Sequence, residues 1–238
     1  MFRLRVQYQK IGRLRYLGHL EVLKTMERVV RRAALPFAIS QGFSPRMRIA
    51  YSAATPLGMY SYDEYFDLFL TEYIPAKECL RRLQENCPAD LMPQHCAYVS
   101  NKEASLDSSL VLTEYSVDLY GPSLQKAQAS LDALLAADEL IVIKKGKEKS
   151  LSICDKLFGK PYFEQELSED SNKIHLSIRT LNRGKGALRL DAFLNALNLS
   201  EDKREIFKLR QAKLTDSGEI LTAFEREEDG AYWKQEEM

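Results

Sequence analysis

The sequence predicts an α+β protein of two tandem ferredoxin-like (βαββαβ) domains with antiparallel sheets. Three observations lead there. The first hundred residues alternate period-two and helical stretches in the order β-α-β-β-α-β. A fainter copy of that order follows a polar break, and 238 residues suit two cores of roughly 100 residues better than one.

Phe2 to Tyr8 alternates as a strand, with Phe2, Leu4, Val6 and Tyr8 on one face and Arg3, Arg5 and Gln7 on the other. Gly18 to Ala34 reads as a helix. Steps of about 100° put Val22, Leu23, Met26, Val29, Val30 and Ala33 on one side and Lys24, Arg28, Arg31 and Arg32 opposite. Pro36 stops that helix, and Phe37 to Ser40 is a short extended piece. The turn-rich Gln41-Gly42-Phe43-Ser44-Pro45 leads into a strand over Arg46 to Ser52. After Pro56-Leu57-Gly58, Tyr62 to Thr71 is a second strand, paired with the first as a hairpin. In it Tyr65, Asp67 and Phe69 alternate against Phe66, Leu68 and Leu70. Pro75 opens a helix over Ala76 to Asn86, and Leu91 to Val99 is the fourth strand.

Ser100 to Ser109 is small and polar and reads as a linker, so the first domain spans 1–99. The second, 110–224, begins with a strand at Leu110 to Tyr120 and a helix at Pro122 to Ala136. Strands over Glu139 to Lys145 and Lys173 to Leu181, a short helix over Leu188 to Leu197 and a strand over Phe207 to Thr215 complete it. Residues 146–172 fit no clear element. Glu225 to Met238 carries six acids against Arg226 and Lys234 and reads as an acidic tail.

Charge gives the functional direction. The chain is neutral overall, with 34 basic and 34 acidic residues. Its first 51 residues nevertheless hold eleven Lys/Arg (Arg3, Arg5, Lys10, Arg13, Arg15, Lys24, Arg28, Arg31, Arg32, Arg46 and Arg48) against only Glu21 and Glu27. So local an excess points to a polyanion. Lys24, Arg28, Arg31, Arg32, Arg46 and Arg48 are the candidate contacts. They form one cationic groove if the helix and the Arg46–Arg48 strand lie side by side. Arginine forks match phosphate, and Tyr16, Phe43 and Tyr51 in the same stretch suit unpaired bases. The same cations also read as solvation of a helix face. Arg183 and Lys185, in Asn182-Arg183-Gly184-Lys185-Gly186, are a weaker phosphate-binding candidate ahead of a helix, and equally an ordinary strand-to-helix turn.

His19 sits on the apolar side of the first helix near its start, between Tyr16 and Lys24. An imidazole there can move a proton to or from an RNA 2′-hydroxyl without metal, or simply satisfy a backbone carbonyl at the core edge. Cys79, Cys87, His95 and Cys96 lack zinc-ligand spacing, so no metal or other cofactor is expected. Asp63, Glu64 and Asp67 read as solvation of the hairpin. The few cysteines, the absence of a signal-like leader and the lack of a run near 18 apolar residues lead us to expect a cytoplasmic protein without a membrane partner.

The run Arg15-Tyr16-Leu17-Gly18-His19-Leu20-Glu21, continuing through Arg28, Arg31-Arg32-Ala33-Ala34-Leu35-Pro36 and Ser40-Gln41-Gly42-Phe43-Ser44-Pro45-Arg46-Met47-Arg48-Ile49, resembles the bacterial radical-SAM-linked proteins, an uncharacterised family. Pro56-Leu57-Gly58 and Ser61 with Glu64 extend the match, which is specific over roughly residues 1 to 75. The resemblance implies association with a radical-SAM protein, often one with a cobalamin-binding-like region, fused to this domain or encoded beside it. No C-x3-C-x2-C motif occurs here, so that activity is not expected of this chain. Family members tend to sit near genes for ribosomal proteins and RNA processing, which makes RNA the implied polyanion. The helix-then-glycine-loop pattern is more distantly similar to the RAMP endoribonucleases of CRISPR systems, some of which cleave RNA with histidine, tyrosine and lysine. Their roles would fall on His19, Tyr16 and Lys24. Three functions follow as expectations: a non-catalytic RNA-binding accessory protein, a metal-independent ribonuclease, and an adaptor docking an acidic partner surface.

Overall fold

Side-chain alternation and helix-period patterning produce, in chain order, β1 (Phe2–Lys10), α1 (His19–Arg32), β2 (Ile49–Tyr51), β3 (Tyr60–Leu70), α2 (Ala76–Asn86), β4 (Pro93–Val99), α3 (Leu106–Ser109), β5 (Leu112–Tyr120), α4 (Leu124–Ala137), β6 (Leu140–Lys144), β7 (Lys147–Leu151), β8 (Tyr162–Gln165), β9 (Lys173–Leu181), α5 (Leu190–Ala196), β10 (Lys203–Leu214) and β11 (Ile220–Leu221). The structure is a computed structural model that describes residues 1–144, 147–165, 173–182, 188–199 and 203–225. It is a mixed α+β fold with mostly antiparallel strand pairing. Two units divide it: Met1–Leu110 with Gln211–Met238, and Val111–Arg210. Among the described residues no helix is long and apolar enough to cross a membrane.

In the first unit β1 lies between β4 and β3, and β2 pairs with β3. Leu4, Val6, Tyr8, Phe66, Leu68 and Leu70 point to one face, where Val22, Met26, Val29 and Val30 of α1 and Cys79 and Leu83 of α2 close over them. Helix α1 starts at Gly18, whose N–H donates to the Glu21 carboxylate at 2.7 Å, closing the first turn. It ends where Ala34 takes a left-handed φ of 50° ahead of Pro36.

The acids of β3 overturn one expectation, Asp63 and Asp67 on the face opposite the helices and Glu64 on the helix face across from Tyr8. Asp63, Glu64 and Asp67 do not solvate a hairpin; all three are buried. Arg3 and Arg5, both also buried, grip Asp67 together. Arg3 donates through Nε and Nη2 to Oδ2 at 2.8 and 2.6 Å. Arg5 donates through Nε to Oδ1 at 2.8 Å and through Nη2 to Oδ2 at 3.0 Å. The remaining guanidinium protons reach the carbonyls of Glu103 (2.7 Å), Ala104 (2.9 Å) and Ala223. Lys213 donates to the Glu103 carboxylate at 3.3 Å and to the Glu225 carbonyl at 2.6 Å. Residues 100–109, expected as a linker, thus supply acceptors to Arg3, and their helix α3 buries Leu106 with Tyr65, Leu110 and Ala223. Residues 211–225, expected in the second domain and at the start of the tail, belong to the first unit: the Gln211 backbone N–H donates to Asp63 at 2.6 Å.

In the second unit the strand order is β10-β5-β9-β8, counting the Lys203–Arg210 part of β10. Helix α4 is capped by the Ser123 hydroxyl, which accepts from the Lys126 N–H. The stretch around Leu151 to Leu167, which carried no clear period, contains the end of the β6–β7 hairpin and the short β8. The expected tail from Arg226 onward lies outside the described residues.

Replacing Asp67 with Ala leaves two buried guanidiniums without their shared anion and is expected to cost about 3–5 kcal/mol. A urea titration of the variant would show it, and an unchanged midpoint would refute the shared grip. Burial pushes the Cys87 and Cys96 thiols up to about 12. Above the ordinary thiol value the folded state then holds more protons than the unfolded one, so this contribution is lost as pH rises from about 9 towards about 12. The fall in urea midpoint between about pH 8 and about pH 10.5 should shrink when both are changed to Ala.

Candidate functional site

Of the eleven cations in the first 51 residues, Arg3, Arg5 and Lys10 are buried. Arg15 is half-buried, its guanidinium carbon 4.4 Å from the Tyr16 ring centroid and 4.3 Å from that of Tyr60. That leaves seven, Arg13 exposed on the turn after β1 and the six candidate contacts. Lys24, Arg28, Arg31, Arg32, Arg46 and Arg48 are all exposed, and among the described residues none of them forms an ion pair.

The chain between α1 and β2 is more than an extended piece. Phe37 bridges Leu70, Ile39 bridges Met47, and the Ser40 N–H donates to the Arg46 carbonyl at 2.8 Å, so residues 37–48 make a small hairpin flap. Its root is bound to β3: Ala38 N–H donates to Phe69 O at 2.7 Å, and Phe69 N–H to Arg48 O at 3.1 Å. Ala38 and Met47 are buried there, while residues 41–46 are exposed and carry Phe43 at the tip.

The two sets of arginines do not line one groove. Met47 belongs to the core beneath α1, and alternation turns its neighbours Arg46 and Arg48 away from the helix layer. Arg48 accordingly lies 4.3 Å from the ring of Phe69, on the face that Arg3 and Asp67 share. Arg31 lies 5.0 Å from the ring of Phe37, on the helix side. Arg31 and Arg48 flank the flap from opposite faces of the sheet margin, each with its guanidinium carbon over an aromatic ring.

His19 begins α1, exposed, with its ring 6.1 Å from Tyr51 in an edge-on approach. It lines a cavity of about 10 Å³, room for one water, with Tyr8, Lys10, Tyr51, Thr55 and Glu64. Lys10 donates to the Thr55 carbonyl at 3.4 Å, and the Thr55 hydroxyl donates to Glu64. Burial raises the Tyr8 and Tyr51 phenols further above their ordinary value. Tyr16 and Lys24 are not part of this cavity. Tyr16 lies instead against Arg15 and the Gly58 turn, and Lys24 is on the outer side of α1. The sequence reading missed Lys10 and Glu64. A lysine at the inward parity of β1, shared with Leu4, Val6 and Tyr8, is the signal that marks it.

Arg183 and Lys185 lie outside the described residues. Two cations of the second unit are paired within it: Arg179 meets Glu114 at 2.5 Å and Lys160 meets Asp132 at 2.9 Å. Among the described residues no cluster of three or more His, Cys, Asp or Glu is placed to hold a metal ion.

Two solved structures resemble the chain in part. The "Crystal Structure of a Cbf5-Nop10-Gar1 Complex" aligns at TM-score 0.44 and 11% identity, covering 88% of this chain and 49% of that one, so the chain spans about half that protein's length. The "Crystal structure of putative glycine cleavage system transcriptional repressor" aligns at TM-score 0.23 and 12% identity, covering 87% and 98%. Neither bears on function. No curated protein matches. A family model matches residues 3–184, and the chain therefore belongs to the family described as "Uncharacterized protein conserved in bacteria (DUF2344)".

Proposed function

We propose that this chain is a non-catalytic RNA-binding accessory protein of two tandem ferredoxin-like units, working in the cytoplasm with a radical-SAM partner in RNA modification or ribosome-related processing. The observation that carries RNA binding is the set of six exposed cations on α1 and the flap, none in an ion pair among the described residues, in a unit whose buried Arg3, Arg5 and Lys10 have acidic or carbonyl partners. A folded protein gains nothing from five arginines kept clear of acids, whereas a phosphate chain gains from each. The strand order β4-β1-β3-β2 with α1 and α2 on one face, and β10-β5-β9-β8 in the second unit, support the tandem ferredoxin-like reading. The radical-SAM partner rests on the resemblance of residues 1 to 75.

A second reading, metal-independent RNA cleavage, draws on one observation: the exposed His19 ring stands at a cavity that also holds Tyr51 and the buried Lys10. The adaptor reading shares the cationic face but assigns it an acidic protein surface.

Reversing Arg31 and Arg46 to Glu is expected to weaken RNA binding at least about tenfold and to flatten the plot of log affinity against log salt by about 0.7 per lost phosphate contact. Affinity unchanged at low salt would refute the assignment. Incubation of RNA with the chain in EDTA should leave the RNA intact. New fragments that vanish in His19→Ala would replace the accessory reading with the ribonuclease, and partner capture that survives nuclease treatment without any RNA affinity would replace it with the adaptor.

A further inference from the structure

Resting on the RNA-binding reading above, we infer that the flap selects single-stranded RNA and that Phe43 is the platform on which one unpaired base stacks. Three aromatics of the first 51 residues, Tyr16, Phe43 and Tyr51, are the stacking candidates, and the structure separates them. Tyr16 is 60% exposed, but one face of its ring is occupied by the Arg15 guanidinium, which also donates to its hydroxyl at 2.8 Å. Tyr51 is half-buried, packed between His19 and Phe66. Phe43 is fully exposed, at 110% of its reference area, beside a Gly42 whose φ of 134° turns the tip and whose side-chain position has no atom within 4 Å. The ring makes no contribution to the core, yet it stands on a stem fixed by the Ile39–Met47 bridge and the bonds to Phe69. A solvent-facing ring carried on that pinned stem, three residues before Arg46 in the chain, is suited to stack on a nucleobase while the adjoining phosphates meet arginine.

The placement of the cations selects the form of the nucleic acid. Arg31 lies on the helix side of the flap and Arg48 on the other, so a chain touching both must fold over a narrow margin with the tip at its crest. A single strand bends there by free rotation of its backbone, whereas a duplex stays straight over about 150 bp. The exposed apolar surface at this margin is Phe43 with Ile39, whereas stable membrane anchoring draws on a larger apolar face in addition to basic charge. Five of the six cations are arginine, the residue whose planar fork fits phosphate best.

The test is a titration of the full chain, at one fixed salt concentration, with a short single-stranded oligoribonucleotide and with a duplex RNA of the same length. Phe43→Ala should lose about tenfold in affinity for the single strand, keep its salt slope, and leave any duplex affinity unchanged. Phe43→Trp should keep wild-type affinity, and its emission, read against the background of Trp233, should be quenched by the strand. Phe43→Leu should behave like Phe43→Ala, because an aliphatic side chain lacks the π-face. Equal loss on both RNAs, no loss on either, or a Leu variant as good as wild type would overturn the stacking platform. So would Phe43-dependent binding to anionic phospholipid vesicles with RNA affinity unaffected. If Arg31→Glu and Arg46→Glu still weaken binding while Phe43→Ala is silent, only the platform falls; if the wild type binds neither RNA, the RNA reading falls with it.

Discussion

One carboxylate organises the first unit. Asp67 accepts four hydrogen bonds from two arginines that β1 places two residues apart, and Arg5 stands directly across the ladder from it. Each guanidinium then has donors left over, which the backbone carbonyls of Glu103, Ala104 and Ala223 accept. Burying two cations and one anion is tolerable only with that full set of acceptors. The requirement draws the segment after β4 and the chain after β10 onto the polar face of the sheet, while the apolar face is closed by α1 and α2 in the ordinary way.

This arrangement divides the basic charge of the N-terminal segment into two populations. Arg3, Arg5 and Lys10 hold the interior together with acids and carbonyls remote in sequence, and the cations of α1 and the flap remain outside. A count of charge along the chain cannot separate them, because both come from the same 51 residues. Burial separates them, and the exposed group is smaller and more clearly placed than the sequence excess of nine suggests.

Much of the secondary structure was legible. The helix at Ala76 to Asn86 and the strand at Lys173 to Leu181 were read to the residue, since their periodicity was set by Pro75 and by clean alternation. The outward stripe of α1 was likewise readable from helical period alone. Asp63, Glu64 and Asp67 were placed on a strand correctly but taken as solvent-facing, because alternation reports that two faces differ and is silent on whether both are covered. The covering pieces, residues 100–110 and 211–225, are polar or short and have no period of their own. The sequence clue that exists is cross-strand: arginines at 3 and 5 facing an aspartate at the matching register. The single groove was misread for a related reason, since the parity of Met47, which turns Arg46 and Arg48 away from α1, becomes visible only once the core is known.

The return of residues 211–225 to the first unit has a consequence for biosynthesis. Arg5 has its last acceptor at Ala223, 218 positions downstream. Until that segment is made, the polar face of the sheet is an open, charged surface without its final acceptor, while the second unit is already complete as a continuous stretch of chain. The first unit thus depends on a segment made after the whole second unit and pays a long loop closure before it is rewarded. Vectorial synthesis then runs opposite to the usual N-to-C order of domain completion, with the continuous inner unit finishing first and the discontinuous outer one last.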